Sequence, residues 1–132
     1  MRMLQAILIP CSGRKREGGT PDYDGSRSVA RLLSPGSAAK LLAARSELAQ
    51  MLGLGDGPDV GGVVDRRLQY LPAFERYDGN LHRRAYLTPR DAQERPDKRI
   101  IIVSALYGLL LAGESIRSYE LAMGMPHSCG FR

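Results

Sequence analysis

Apolar positions in this chain gather into a few blocks separated by long polar, glycine-rich stretches. Met3 to Ile9 is a short apolar run that ends at Pro10, the pattern of a buried first strand. From Pro10 to about Arg27 the periodicity disappears, and the stretch holds Gly13, Gly18, Gly19, Gly25, two prolines and the consecutive cations Arg14, Lys15 and Arg16. A loop this long inside a small domain is usually functional or mobile rather than filler. Helical spacing returns between Ser37 and Leu52 through Leu41, Leu42, Leu48, Met51 and Leu52. Ser37 is placed to cap its start, and Gly53 or Gly55 to close its end.

Gly53 to Gly62 carries five glycines and one proline and predicts a turn or connector. Val63 to Tyr77 has mixed helical character, broken at Pro72. Tyr77-Asp78-Gly79-Asn80 is a turn signal, and Thr88-Pro89 predicts a helix start. Arg99 to Val103 predicts the second strand: three isoleucines and a valine in a row, with burial on both faces as in an α/β sheet. The expected class is α/β: one domain over 1–132, with a small mixed or mostly parallel sheet flanked by helices.

Composition narrows the partners. The 132 residues carry nineteen Lys plus Arg against fourteen Asp plus Glu, a formal +5, and sixteen of the cations are Arg. Guanidinium forks match phosphate oxygens in a bidentate way, so an anionic partner is one expectation and a merely solvated basic surface the other. The longest apolar stretch, Ile100 to Ala112, is interrupted by Ser104, Tyr107 and Gly108 and falls short of the roughly 20 residues of a spanning helix. The first ten residues lead into Pro10 and a basic cluster, a poor signal peptide. Two cysteines are too few for a disulfide scaffold. A cytoplasmic protein, with no membrane partner, is expected.

Three segments carry candidate chemistry. A loop leaving the end of a parallel strand lies where open sheets bind ligands; here that loop offers Ser12, Arg14, Lys15 and Arg16 with nearby glycines, suited to phosphate. It does not fit GxxxxGK(S/T), so nucleoside-triphosphate hydrolysis is not supported. Cys11 is a candidate nucleophile, although a lone Cys without an assigned base is more often structural. The second segment, Leu71 to Arg84, brings Arg76, Arg83 and Arg84 near one exposed aromatic, Tyr77, and the Gly79 turn. That mixture suits backbone contacts and stacking on a nucleic acid or nucleobase, or is a solvated basic helix face with Tyr77 packed inward. The third runs from Ile100 to Leu110. There Ser104 and Tyr107 would face the sheet end that carries the first loop, with Gly108 making the turn; core packing of Tyr107 is the alternative. Cys11, His82, His127 and Cys129 show no zinc-ligand spacing, so no metal and no cofactor is expected.

Together the three segments resemble the YaaA family of peroxide-stress response proteins. Ser104-Ala105-Leu106-Tyr107-Gly108-Leu109-Leu110, followed by Ile116, Tyr119, Leu121, Met123 and Gly124, echoes the signature SGLYGLLRPLDxIxPYRLEMG. Pro72 to Gly79 is similar to PAIxRYxGxxY, and Ile9 to Gly19 to the PPSExKxxGG loop. The blocks keep the family's order and correspond to about the first half of a usual member. Ser12, Lys15, Tyr77, Gly79, Ser104, Tyr107, Gly108 and Tyr119 occupy motif positions. The sequence departs from the family where Leu111-Ala112-Gly113-Glu114 replaces Arg-Pro-Leu-Asp, where Glu120 replaces Arg and where Ala122 replaces Glu. Met125 to Arg132 does not continue the pattern.

The resemblance implies an α/β protein, here an incomplete version of the YaaA-type fold, with a basic cleft that binds DNA, expected to be double-stranded, and limits damage from peroxide and free iron. The alternative expectation is a nucleotide- or nucleobase-processing enzyme that grips phosphate with the strand-1 loop, which also looks similar to PCSxxK-type loops of modified-base metabolism.

Overall fold

A run of β-branched residues has one favourable place in a small α/β protein, the middle of a sheet. In the computed structural model, which describes residues 5–63, 65–78, 88 and 98–120, Ile100 to Val103 lie there, in β3 (Lys98–Ser104). β1 (Gln5–Pro10) pairs with β3 in parallel, from Gln5 opposite Lys98 to Pro10 opposite Val103. The Cys11 N–H continues that ladder to the Val103 carbonyl at 2.9 Å. β4 (Gly108–Leu111) returns antiparallel on the other side of β3, and the order is β1-β3-β4. The β3–β4 link is a three-residue turn, Ala105 to Tyr107, closed by Gly108 at φ 71°, the left-handed position three-residue hairpin loops need. The sheet is therefore mixed, and the class is α/β.

The first strand differs from its expectation. Gln5 to Leu8 are exposed, Leu8 by 62%, and only Ile9 packs against the core. β1 ends the strand order, bonded to β3 alone among the described residues, so its apolar run is not covered as a central strand's would be. β3 is likewise more one-sided than expected: Ile100, Ile102 and Ser104 are buried, while Ile101 and Val103 are half-buried.

α1 (Pro35–Met51) begins earlier than its pattern suggests. Ser34, not Ser37, is the cap: its hydroxyl accepts the Ser37 N–H at 3.3 Å, and Pro35 takes the first helical position. At the other end Gly53, at φ 72°, donates to the Gln50 carbonyl and Leu54 to that of Ala49, a Schellman stop. Leu48, Ala49, Leu52 and Leu54 pack on the core, whereas Met51 faces water.

The aperiodic stretch after β1 is a strap. Isolated antiparallel bridges join Lys15 to Tyr77 and Thr20 to Tyr70, and Arg16 donates to the Arg76 carbonyl at 2.7 Å. Gly19 is required there: at φ 129°, a Cβ would stand 2.5 Å from the Tyr70 carbonyl oxygen. Two short 3₁₀ turns, Gly25–Arg27 and Val29–Leu32, follow, capped by Asp24 and Ser28.

The mixed segment around Pro72 resolves into β2 (Leu71–Pro72) and a single helical turn, α2 (Ala73–Arg76). β2 pairs antiparallel with β5 (Ser115–Ile116). Gly79 and Asn80 of the expected turn, Arg83, Arg84, Pro89 of the expected helix start and the tail from Met125 lie outside the described residues. Among the described residues no helix is long and apolar enough to cross a membrane.

Candidate functional site

β1 and β3 run in parallel, so their carboxyl ends lie side by side, and the segments leaving them meet there. Ser104, the last residue of β3, presents its hydroxyl to two tyrosines. The Tyr77 hydroxyl donates to Ser104 Oγ at 2.9 Å, Tyr119 lies 2.9 Å from the same oxygen, and the two phenols are 2.7 Å apart. Ser104 Oγ also accepts the Tyr107 N–H at 3.0 Å. All three side chains are buried. Burial pushes the Tyr119 hydroxyl up to about 12 and the Tyr77 hydroxyl well above its ordinary value, so both are neutral hydrogen-bonding groups at physiological pH.

Above this ring the strap lays down Lys15. Its Nζ sits 4.1 Å from the Tyr119 ring centroid and 5.9 Å from that of Tyr77, and donates to the Gly13 carbonyl at 3.2 Å. The aromatic faces and one carbonyl hold the ammonium in place. Desolvation lowers the Lys15 pKa, partly opposed by Cys11 and Glu120 nearby. Beside Tyr119 opens a cleft of about 340 Å³ bounded by Glu17, Leu52, Leu54, Ser118 and Glu120, at the small end of the range for ligand pockets. The arrangement offers one fixed cation, aromatic surface and neutral hydroxyls. It can hold and orient a small ligand.

Behind the ring lie two buried ion pairs. Arg117 grips Asp59 in a fork, Nη2 to Oδ1 at 2.7 Å and Nε to Oδ2 at 2.8 Å, and the Tyr107 hydroxyl donates to the same carboxylate at 2.5 Å. Arg45 meets Glu114 at 2.8 Å and also donates to the carbonyls of Tyr107, Asp59 and Leu109. The second Glu114 oxygen accepts the N–H groups of Val29 and Leu111. These contacts tie α1, the glycine-rich connector, the β3–β4 turn and β5 into one frame. Gly57 belongs to it, because a Cβ there would stand 2.6 Å from Arg117 Nη2.

The residues expected at the site separate into three groups. Lys15, Tyr77, Ser104 and Tyr119 come together as described. Ser12, Arg14 and Arg16 stay on the exposed strap: Ser12 donates to the Arg14 carbonyl at 2.6 Å, and Arg14, its side chain 68% exposed, lies 3.9 Å from Asp78. Gly79, Arg83 and Arg84 fall outside the described residues.

Of the two readings of Tyr77 the inward-packed one holds, with the side chain buried in the hydroxyl ring. Arg76 is 0% exposed, its guanidinium bonded to the carbonyls of Arg16, Gly18, Gln69 and Ile116, so it holds the strap rather than facing a nucleic acid. For Tyr107 the core-packing alternative holds, since it is fully buried with its hydroxyl on Asp59, and Gly108 makes the turn as expected, where a Cβ would stand 3.2 Å from Leu41.

Sequence reasoning missed both ion pairs. Arg45 carried a signal, since it falls on the inward stripe of α1 where an apolar residue is expected, and Glu114 stands where the resembled signature has an Asp; Asp59 carried none. Cys11 is a free thiol, half-buried against the core. Among the described residues no three His, Cys, Asp or Glu side chains converge to hold a metal.

No protein-family model matches this chain, and no curated protein matches it significantly.

Proposed function

We propose that this protein binds a small phosphate-bearing ligand of the nucleotide class at the carboxyl end of β1 and β3, with Lys15 as the fixed charge. The observation that carries the reading is the Lys15 ammonium stacked on Tyr119 over the Ser104–Tyr77–Tyr119 ring. It stands where parallel strands end, the usual ligand position of an open α/β sheet. The three blocks that resemble the YaaA family supply this one spot, and kinship with that family, in the cytoplasm, is part of the proposal. A thermal-shift screen of nucleosides, nucleotides and free bases tests it. Nucleotides should raise the melting temperature, and an absence of any shift at millimolar ligand would overturn it.

Duplex DNA is a second reading, favoured by the exposed Arg14 and Arg16 on the strap. With Arg76 turned inward, the described basic patch is smaller than the charge count suggests. In this form the protein would act in peroxide stress by shielding DNA from iron-driven damage. DNA affinity should then fall steeply with salt, at a log–log slope of about −0.9 per phosphate neutralised; no duplex binding at low salt would remove it.

A further inference from the structure

A second cleft, of about 370 Å³, opens on the far side of Glu17, Leu54 and Ser118 and shares those three residues with the cleft beside Tyr119. Arg67, Arg76 and Arg117 line it. Arg117 is neutralised by Asp59 and is part of the frame. Arg67 is 90% exposed at the rim, and Asp65 takes only its Nε and Nη2. Arg76 differs from both.

Its guanidinium is buried, four carbonyls take its Nη protons, its Nε–H has no acceptor, and among the described residues no carboxylate lies within ion-pair distance. A buried cation without a counter-ion is costly. Carbonyl dipoles offset part of that cost, and an anion in the cleft above would offset more. The acid facing this cleft is Glu17, which is exposed and acts on Arg76 through space rather than by contact.

We infer that this cleft is an anion subsite for a phosphate group, free or as an ester, with Arg76 as the buried charge of its floor, Arg67 as the direct donor at its rim and Glu17 as a built-in competitor. The subsite stands on the cleft alone and does not require Lys15 to bind anything. Because the two clefts adjoin, a phosphate ester seated here can lay its remainder toward Leu52 and Tyr119.

The test is titration of the full chain with inorganic phosphate and, separately, with a nucleoside monophosphate, read by the arginine Nε–Hε resonances and by calorimetry. Phosphate should shift the Arg76 Nε–Hε signal saturably. Arg67→Ala should weaken binding about tenfold, as loss of a charge-assisted contact does, and Glu17→Gln should tighten it about threefold by removing a like charge. Tighter binding of the monophosphate than of phosphate, with the same dependence on Arg67, assigns an ester; equal affinity assigns the free anion. The inference is overturned if the Arg76 signal does not move up to tens of millimolar phosphate, where a site with a Kd of about 1 mM would be saturated. It is also overturned if neither Arg67→Ala nor Glu17→Gln changes the affinity.

Discussion

Two sets of arginines divide this molecule. Arg45, Arg76 and Arg117 are turned inward, each wrapped by carboxylate or carbonyl oxygens; Arg14, Arg16 and Arg67 stand in water on the strap and at a cleft rim. The same side chain does opposite work in the two places. Inside, its planar fork bonds several segments at once and fixes how they meet. Outside, it is a solvated charge with little effect on stability and a large effect on which ligands approach. A net charge of +5 therefore overstates the cationic surface, because part of it is structural.

The comparison breaks first at the inner set. Glu114→Ala leaves Arg45 buried and unpaired and should cost about 3–5 kcal/mol of stability, measured by urea unfolding. Adding Arg45→Met should recover part of that loss, whereas an outward arginine replaced by Ala should move the same curve by roughly 0–1 kcal/mol. If Glu114→Ala and Arg14→Ala destabilise equally, the division is wrong.

Gly19→Ala comes next. It forces a side chain into a left-handed backbone position against Tyr70 and should cost about 1–3 kcal/mol, seen as a lower melting temperature and faster proteolysis of the strap.

Alkali sharpens the inner region further. Burial raises Tyr23 and Tyr119 to about 12, and Tyr70, Tyr77 and Tyr107 are raised as well. An unfolded tyrosine titrates near about 10, so these groups stabilise the fold fully below that pH, and the stability is lost as pH climbs through 10 toward 12 and beyond. Phenolate absorbance should lag an unfolded control by about two pH units and then rise together with unfolding. Early titration of all the tyrosines in the folded protein would contradict the buried ring.

The smallest effect on stability belongs to the strap. Lys15→Ala should change unfolding by no more than about 1 kcal/mol, the worth of a cation–π contact, yet weaken ligand binding at the ring about tenfold or more. For the wild type, the Lys15 pKa is lowered, so its charge disappears below the pH of an ordinary lysine. Affinity for an anion should fall as pH rises through that lowered value, earlier than the roughly 10.4 of a free side chain.

Much of this frame was legible in the sequence, for local reasons. Ile100 to Val103 and the leucine spacing of α1 specify their elements through period and β-branching alone. The strand-1 segment misled because an apolar run reports propensity, whereas burial depends on what the strand pairs with. β4 and β5 went unread because each is short and is defined by its partner: Gly108 to Leu111 by β3, and Ser115 and Ile116 by β2. At the site, Lys15, Ser104 and Tyr119 were legible as motif positions. Arg76 was misread because its neighbours Tyr77 and Arg83 look like a surface patch. The carbonyls that absorb it come from Arg16, Gly18, Gln69 and Ile116, and no local pattern joins those. The Asp59–Arg117 pair spans 58 positions and lies beyond any window of periodicity.

Calorimetric titration of a nucleoside monophosphate into the wild type and Lys15→Ala tests the central claim most directly. The account predicts saturable binding to the wild type, a loss of about tenfold or more in the variant, and nearly superimposable unfolding curves for the two. Equal affinity in both proteins, or no binding to either, would contradict it.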